Sequence, residues 1–397
     1  MTIAHELILI AGVLCLCAFF AGIASARIGM PLLLVFLGVG VLAGEDGLGG
    51  IRFDDFDSAY LIGSLALTAI LFQGGLSTER SMLRQALWPS VVLATLGVAI
   101  SAGVIGATVV FLFGVPWPAA LLLGAATAPT DAAAVSAILK SSGAKVPSRV
   151  VAALEIESGL NDPMSVFITL ALVEVVTHAE GISALQSVLH FGKEMIGGAI
   201  LGLASGYLLL YVFRKLDVER EAFAVPAFGV ALAVFGGAQM VGASGFLAVY
   251  LAGIIVGNHE HPAGQPVMRF FGALGWLAQI ALFLMLGLLV TPHDLGPIVF
   301  PALAVAVVLV LIARPISVLV CLLPFKWTMP EIGFVSWVGL RGAVPIYLTI
   351  IPLLAGLQAG RTLFNIVFVI VVASVAVQGW TVGTAARVLG LNSDKEH

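Results

Sequence analysis

The chain has 397 residues, 60% of them hydrophobic and only 10% charged, with 45 glycines and a net charge of −4. Soluble domains carry roughly 25% charged residues, so this balance excludes a string of globular domains and points to an all-α protein that crosses a membrane many times. It offers no basic patch of the size nucleic acid requires, and Cys15, Cys17 and Cys321 lie scattered in apolar runs, which excludes a disulfide framework.

In chain order, apolar stretches of bilayer-crossing length fall at about 5–25, 30–45, 58–75, 87–113, 117–139, 149–177, 184–212, 221–240, 243–257, 267–290, 297–324, 329–354 and 362–386. The first has neither a basic leader nor a small-residue cleavage site, so it reads as a retained helix. About thirteen spans, an odd number, put the two termini on opposite sides. With the N-terminus outside, the cytoplasmic side receives Arg27, Arg80, Arg84, Lys140, Lys145, Arg149, Arg214, Lys215, Arg220, Arg269, Lys326, Arg387 and Lys395. The outer side then receives only Arg52, Lys193 and Arg361, so the basic bias predicts N-terminus out and C-terminus in.

Two spans are interrupted. The fifth contains Thr127-Ala128-Pro129-Thr130-Asp131, and the twelfth contains Gly339-Leu340-Arg341-Gly342-Ala343-Val344-Pro345. Broken helices at matching places in two halves mark the midplane site of a transporter. They suggest inverted repeats over spans 1–6 and 8–13, with span 7 as the linker. Broken helices expose carbonyls on one side of the gap and N–H groups on the other. Asp131 is suited to offset the N–H ends and Arg341 the carbonyl ends.

The most informative stretch is the polar island in the sixth span, Glu155-Ile156-Glu157-Ser158-Gly159-Leu160-Asn161-Asp162-Pro163-Met164-Ser165. A carboxylate at the centre of a span costs roughly 2.5–3.5 kcal/mol even on insertion scales, so three acids in eight residues need a reason. At about 100° per residue, Glu157 and Asn161 lie together, while Glu155, Ser158 and Asp162 form an adjoining stripe. Pro163 removes a backbone donor and is expected to loosen the helix beside Asp162. Carboxylate, hydroxyl and amide oxygens suit a small hard cation; the plainer alternative is a helix-end loop whose acids face water. Arg314, in Ala313-Arg314-Pro315, needs an acidic partner. Glu157 is the first choice, and Arg341 competes for the same acid. His259 and His261 read as a solvated connection rather than a metal site. The small-residue clusters Gly74-Gly75 and Gly242-Ala243-Ser244-Gly245 read as close helix packing, and Gln73 as either a helix-packing hydrogen-bonder or a polar neighbour of the site.

Taken together, Thr130-Asp131, Glu157-Ser158, Asn161-Asp162-Pro163, Ala313-Arg314-Pro315, Gly339-Leu340-Arg341-Gly342 and Gly245-Phe246-Leu247-Ala248-Val249-Tyr250-Leu251-Ala252-Gly253 resemble the monovalent cation:proton antiporters. The bacterial NhaP-type sodium/proton and potassium/proton exchangers are nearest, and Glu155-Ile156-Glu157-Ser158-Gly159 leans toward the potassium branch. The resemblance implies an inverted-repeat antiporter fold and a homodimer in the bacterial inner membrane. It implies one transmembrane domain over 1–397, with a moving core drawn from about 58–177 and 267–386 and an interface from the remainder. It makes Asp162 the cation and proton ligand, with Ser158, Thr130 and Asp131 completing coordination, Asn161 as the partner of Asp162, and Glu157 with Arg314 as an ion bridge. Gln73 departs from the family pattern, which often has an acid there. The branch often continues into cytosolic regulatory domains, whereas this chain ends at Asp394-Lys395-Glu396-His397.

The expected function is exchange of K⁺, or Na⁺, for H⁺ by competition at Asp162, one for one, with no cofactor and no enzymatic chemistry. Two rivals stand beside it. A cation channel calls for a filter-like backbone segment. An intramembrane hydrolase calls for Asp131 and Asp162 sharing a proton.

Overall fold

A computed structural model describes residues 2–28, 30–144, 146–177, 184–215 and 217–391. Lys145, Lys395 and the terminal Asp394-Lys395-Glu396-His397 lie outside the described residues, as does the side chain of Arg27. Among the described residues the regular structure is helical, with one isolated bridge between Gly44 and Ile51. Its helices are α1 (Thr2–Ile28), α2 (Leu32–Ala43), α3 (Phe56–Ser77), α4 (Arg80–Val92), α5 (Val98–Phe113), α6 (Trp117–Thr127), α7 (Ala132–Ser142), α8 (Ser148–Thr177), α9 (Ala184–Lys215) and α10 (Ala224–Met240). They continue as α11 (Gly245–Gly257), α12 (Gly264–Leu288), α13 (Val299–Val308), α14 (Arg314–Leu322), α15 (Met329–Trp337), α16 (Ala343–Leu348), α17 (Ile350–Leu354) and α18 (Gly360–Val388).

Among the described residues, ten helical stretches are long and apolar enough to cross a membrane, one of them, Trp117–Lys140, interrupted within; Leu32–Ala43, Gly245–Gly257 and Ala343–Leu354 are shorter apolar helices in the remaining predicted segments. The all-helical, many-spanning expectation therefore holds. The fifth predicted span is broken between α6 and α7, and the twelfth between α15 and α16. Pro163 lies inside α8, which runs from Ser148 to Thr177, so the loosening expected from its missing N–H does not go as far as a break. A proline's φ already suits a helix, and packing against α4 and α6 holds this one in line.

The repeat expected from the two breaks shows in other pairs of spans. Spans four and eleven each carry a π-helical turn, Leu93–Gly97 between α4 and α5 and Leu309–Ala313 between α13 and α14. Spans two and nine are the short helices α2 and α11, and each packs closely on a partner in the other half. At the α2–α12 crossing, a Cβ on Gly40 would stand 2.9 Å from the Gly287 Cα. At the α3–α11 crossing, a Cβ on Gly75 would stand 3.0 Å from the Gly253 Cα. Only glycine permits backbones this close.

Packing divides the helices into two groups. In one, α3 and α12 lie against each other, with α11 on α3 and α2 on α12; α9 and α10 extend it. In the other, α4 to α8 pack with α13 to α18. Segments 58–75 and 267–290, assigned to a core by sequence, thus have their principal neighbours in the first group, because Gly75 and Gly287 admit α11 and α2 there.

Loops predicted on one side bond to each other. Asn258 Nδ2 donates to the Thr78 carbonyl at 2.7 Å, and Arg149 pairs with Glu331 at the start of α15. At the opposite end, His293 Nδ1 lies 2.6 Å from Asp46 Oδ2, and Arg361 Nη2 donates to Thr291 Oγ1 at 2.8 Å. These ties match the predicted alternation of the spans.

Candidate cation and proton site

The site is built where the two interrupted spans cross. Between α6 and α7 the chain leaves the helix, extended at Asp131, and the Asp131 N–H donates to the Leu340 carbonyl of the other gap at 2.8 Å. Asp131 caps α7: its Oδ1 accepts from the Ala134 N–H at 2.9 Å. The same carboxylate sits against Gly342 at the start of α16, where a Cβ would stand 2.8 Å from the Asp131 Cβ. Arg341 lies fully buried in the second gap and donates Nη1 to the carbonyls of Ala128, at the end of α6, and Pro129, the latter at 3.0 Å. An acid therefore meets helix N-termini and a base meets a helix C-terminus, the arrangement that neutralises the partial charges of broken helices. Ser374 and Gln378 of α18 support the second gap. Ser374 Oγ accepts from the Arg341 N–H at 3.2 Å, and Gln378 Nε2 donates to the Trp337 carbonyl at 2.6 Å.

The polar island of α8 grips the first gap. Ser158 Oγ donates to the Thr130 carbonyl at 2.9 Å and accepts from the Ala132 N–H at 3.3 Å. Asn161 Nδ2 donates to Thr130 Oγ1 at 2.8 Å. Thr130, Ser158 and Asn161 thus form one connected cluster that sets the position of Asp131 relative to α8. Glu157 turns away from this cluster. It makes a two-pronged pair with Arg314, one bond joining Nη1 to Oε1 and the other joining Nη2 to Oε2 at 2.9 Å. Arg341 is spent on the carbonyls of the first gap and makes no hydrogen bond to Glu157.

Asp162 stands apart from all of these. It is 8% exposed, and its Oδ1 is buried without a hydrogen-bond partner. It lines a cavity of about 420 Å³ together with Thr130, Asp131, Ser158 and Gly342. The cavity lies on the seam between the two packing groups, with α7, α8 and α16 on one wall and α3, α11 and α12 on the other. It extends past Glu155 to Ser77, Thr78 and Lys140, the ends of α3 and α7. Asn161 Oδ1 is a second buried oxygen with no partner. Asp131 and Asp162, the pair a hydrolase needs within bonding reach, make no hydrogen bond to each other. The acids of the island do not sit in a solvated helix-end loop, since α8 continues well past them.

Sequence reasoning missed several contributors. Tyr250 is buried in α11, with its ring packed on Gly159 of α8 and its hydroxyl 3.2 Å from Thr78 Oγ1. Ser136 Oγ donates to Glu155 Oε1 at 3.2 Å. Gln73, one of whose two sequence readings was a polar neighbour of the site, does line the cavity. A tyrosine within the otherwise apolar Gly245–Gly257 stretch was the available signal for the first; Ser136 carried none, because serines are common in spans.

The geometry has parallels. The sequence pattern of the family described as "Sodium/hydrogen exchanger, transmembrane" matches residues 15–388. The K(+)/H(+) antiporter NhaP of Alkalimonas amylolytica is 46% identical over 98% of this chain and 68% of its own length. The K(+)/H(+) antiporter NhaP2 of Shewanella sp. (strain MR-4) is 43% identical over 91% of this chain and 63% of its own length, so the chain spans about two thirds of these relatives. The Na(+)/H(+) antiporter NhaP of Pseudomonas aeruginosa is 30% identical over 85% of this chain and 82% of its own length. Among solved structures, the sodium proton antiporter MjNhaP1 from Methanocaldococcus jannaschii superposes with a TM-score of 0.86, covering 98% of this chain and 99% of that one at 22% identity, a likeness of fold. With the crossed helices, the α8 acids and these matches agreeing, the chain belongs to the sodium/hydrogen exchanger family.

Proposed function

We propose that this protein exchanges a monovalent cation, K⁺ in preference to Na⁺, for H⁺, one for one, with both competing for Asp162. The observation that carries the reading is the Asp162 carboxylate: buried, unpartnered at Oδ1 and facing a cavity that reaches one end of the helix bundle. A bare carboxylate is too costly to carry through a low-dielectric barrier, so only the cation-loaded or protonated form crosses. Thr130, Ser158 and Asn161 hold the first gap against α8, and Asp131 completes the oxygen set. Because Asn161 carries no charge, the Asn161–Asp162 pair exchanges one proton for one cation and moves no net charge. Glu157 and Arg314 form a structural ion bridge, and Arg341 compensates the crossing. The potassium preference takes its support from the relatives named K(+)/H(+) antiporters.

The seam around the cavity supports a division into a moving group and a fixed one. The group α4–α8 with α13–α18 slides against α3, α11 and α12, carrying Asp162 from one side to the other. The positive-inside bias assigns the end bearing Lys140 and Thr78 to the cytoplasm, which makes this an inward-open state with the N-terminus outside. Family membership supports a homodimer in the bacterial inner membrane.

The test is proton flux in proteoliposomes, followed with a pH-sensitive dye on addition of K⁺, Na⁺ or Li⁺. Asp162→Asn is expected to lose exchange to the background level while keeping the wild-type melting temperature. Full activity in that variant overturns the assignment. A transport current that reverses with membrane potential overturns the one-for-one exchange.

A further inference from the structure

The stripe of α8 that faces the cavity holds a second acid. Glu155 lies seven residues before Asp162, two helical turns or about 10 Å along the helix, on the same face and in the same cavity. It is half-buried, and Ser136 Oγ of α7 donates to its Oε1 at 3.2 Å. Two further oxygens belong to residues lining the same cavity, the Tyr250 hydroxyl and Thr78 Oγ1, 3.2 Å from each other, and the Tyr250 ring packs directly on Gly159 of α8, one turn after Glu155. Lys140, one turn beyond Ser136 on α7, and Glu79, just before α4, are the charges that act on Glu155. Glu155 makes no ion pair with Lys140 within 4 Å, so its carboxylate is not neutralised by contact as Glu157 is.

A cation going from bulk water to Asp162 has to exchange hydration water for protein oxygens, and doing so in two stages lowers the largest single step. The wall between the mouth and Asp162 supplies such oxygens. We propose that Glu155 and Ser136, with the Tyr250 and Thr78 hydroxyls beside them, form a second and shallower site for a partly hydrated monovalent cation, which loads Asp162 from this end of the cavity. The proposal rests on the exchange reading of Asp162, and it makes the transporter kinetically asymmetric: Glu155 serves one side only.

Side-specific kinetics on the full chain in oriented proteoliposomes test it. Glu155→Gln is expected to raise the K⁺ concentration for half-maximal exchange from the Lys140 side about tenfold, as befits the loss of one charged ligand, while kcat and the opposite-side KM stay at wild-type values. Glu155→Asp restores most of the affinity, and Ser136→Ala reproduces part of the loss. An independent measurement uses Asp162→Asn, in which K⁺ alone should still raise the melting temperature; adding Glu155→Gln removes that shift. Unchanged KM on both sides, equal changes on both sides, exchange abolished at saturating K⁺, or no K⁺-dependent shift in Asp162→Asn each overturns the proposal. Retained exchange in Asp162→Asn overturns the Asp162 reading instead, so the two failures are distinct.

Discussion

Glu157 and Asp162 sit five residues apart on one helix and meet opposite surroundings. Glu157 is 1% exposed and doubly bonded to Arg314, a guanidinium whose planar fork matches a carboxylate; Asp162 has an oxygen with no partner and a cavity in front of it. Both were paid for by the same tertiary structure, yet only one is left able to change its ligand. A buried carboxylate in this fold is structural or exchanging according to whether a fixed cation already fills its place. The contrast extends to the bases: Arg314 answers a side chain, and Arg341 answers the bare carbonyls of a broken helix.

The largest effect on this contrast should come from breaking the paired face. Glu157→Gln or Arg314→Met alone leaves a buried charge without its partner, expected to cost about 3–5 kcal/mol and to show as a large fall in melting temperature in detergent. Replacing both, as Glu157→Leu with Arg314→Met, should recover most of that loss. If Glu157→Gln instead keeps its stability and changes cation affinity, Glu157 belongs to the exchanging site and the contrast fails.

A smaller loss is expected from the crossing. Arg341→Met orphans the carbonyls of Ala128 and Pro129, which should cost about 1.5–3 kcal/mol and slow exchange, with cation affinity changed less than the rate. The measurement is proton flux across a range of cation concentrations, alongside thermal unfolding. A change confined to affinity would make Arg341 part of the cation site rather than a support for the gap.

The smallest effect lies at the far end of the molecule, in the exposed tie between Asp46 and His293. The His293 backbone N–H, then its ring, holds the Asp46 carboxyl below its ordinary value, and the hydrogen bond to Asp46 raises the His293 imidazole. The lowered acid contributes above its unfolded pKa and loses that contribution as pH falls through its folded value. The raised imidazole contributes below its unfolded pKa and loses that as pH rises through its folded value. The tie is therefore intact between the two folded values and weakens outside them. In Asp46→Asn, the His293 ring titration followed by NMR should move down toward the ordinary imidazole value. An unmoved titration would mean the tie does not form in solution.

The crossed spans were legible because Pro129, Pro345 and the glycines around Arg341 interrupt otherwise apolar runs, and a break inside a membrane span is expensive enough to mean something. The acids of α8 were legible for the same reason. The π-helical turns were not: Leu93–Gly97 and Leu309–Ala313 are ordinary apolar sequence, and their extra residue per turn depends on how α5 and α14 pack. The grouping of α3 and α12 was also hidden, since it depends on which glycine meets which across two helices. Helical angle placed Glu157 and Asn161 together, but it carried no information about what each faces.

Sequence alone determined the membrane class, the alternation of spans, the two interruptions and the presence of acids inside a long apolar helix, because each follows from local hydropathy, loop charge or backbone chemistry. Tertiary structure alone decided that Arg314 takes Glu157, that Arg341 takes the α6 carbonyls, and that Asp162 is left facing the cavity. Those outcomes depend on a choice among partners distant in the chain, and a polar group inside a low-dielectric interior takes whichever partner packing brings within reach.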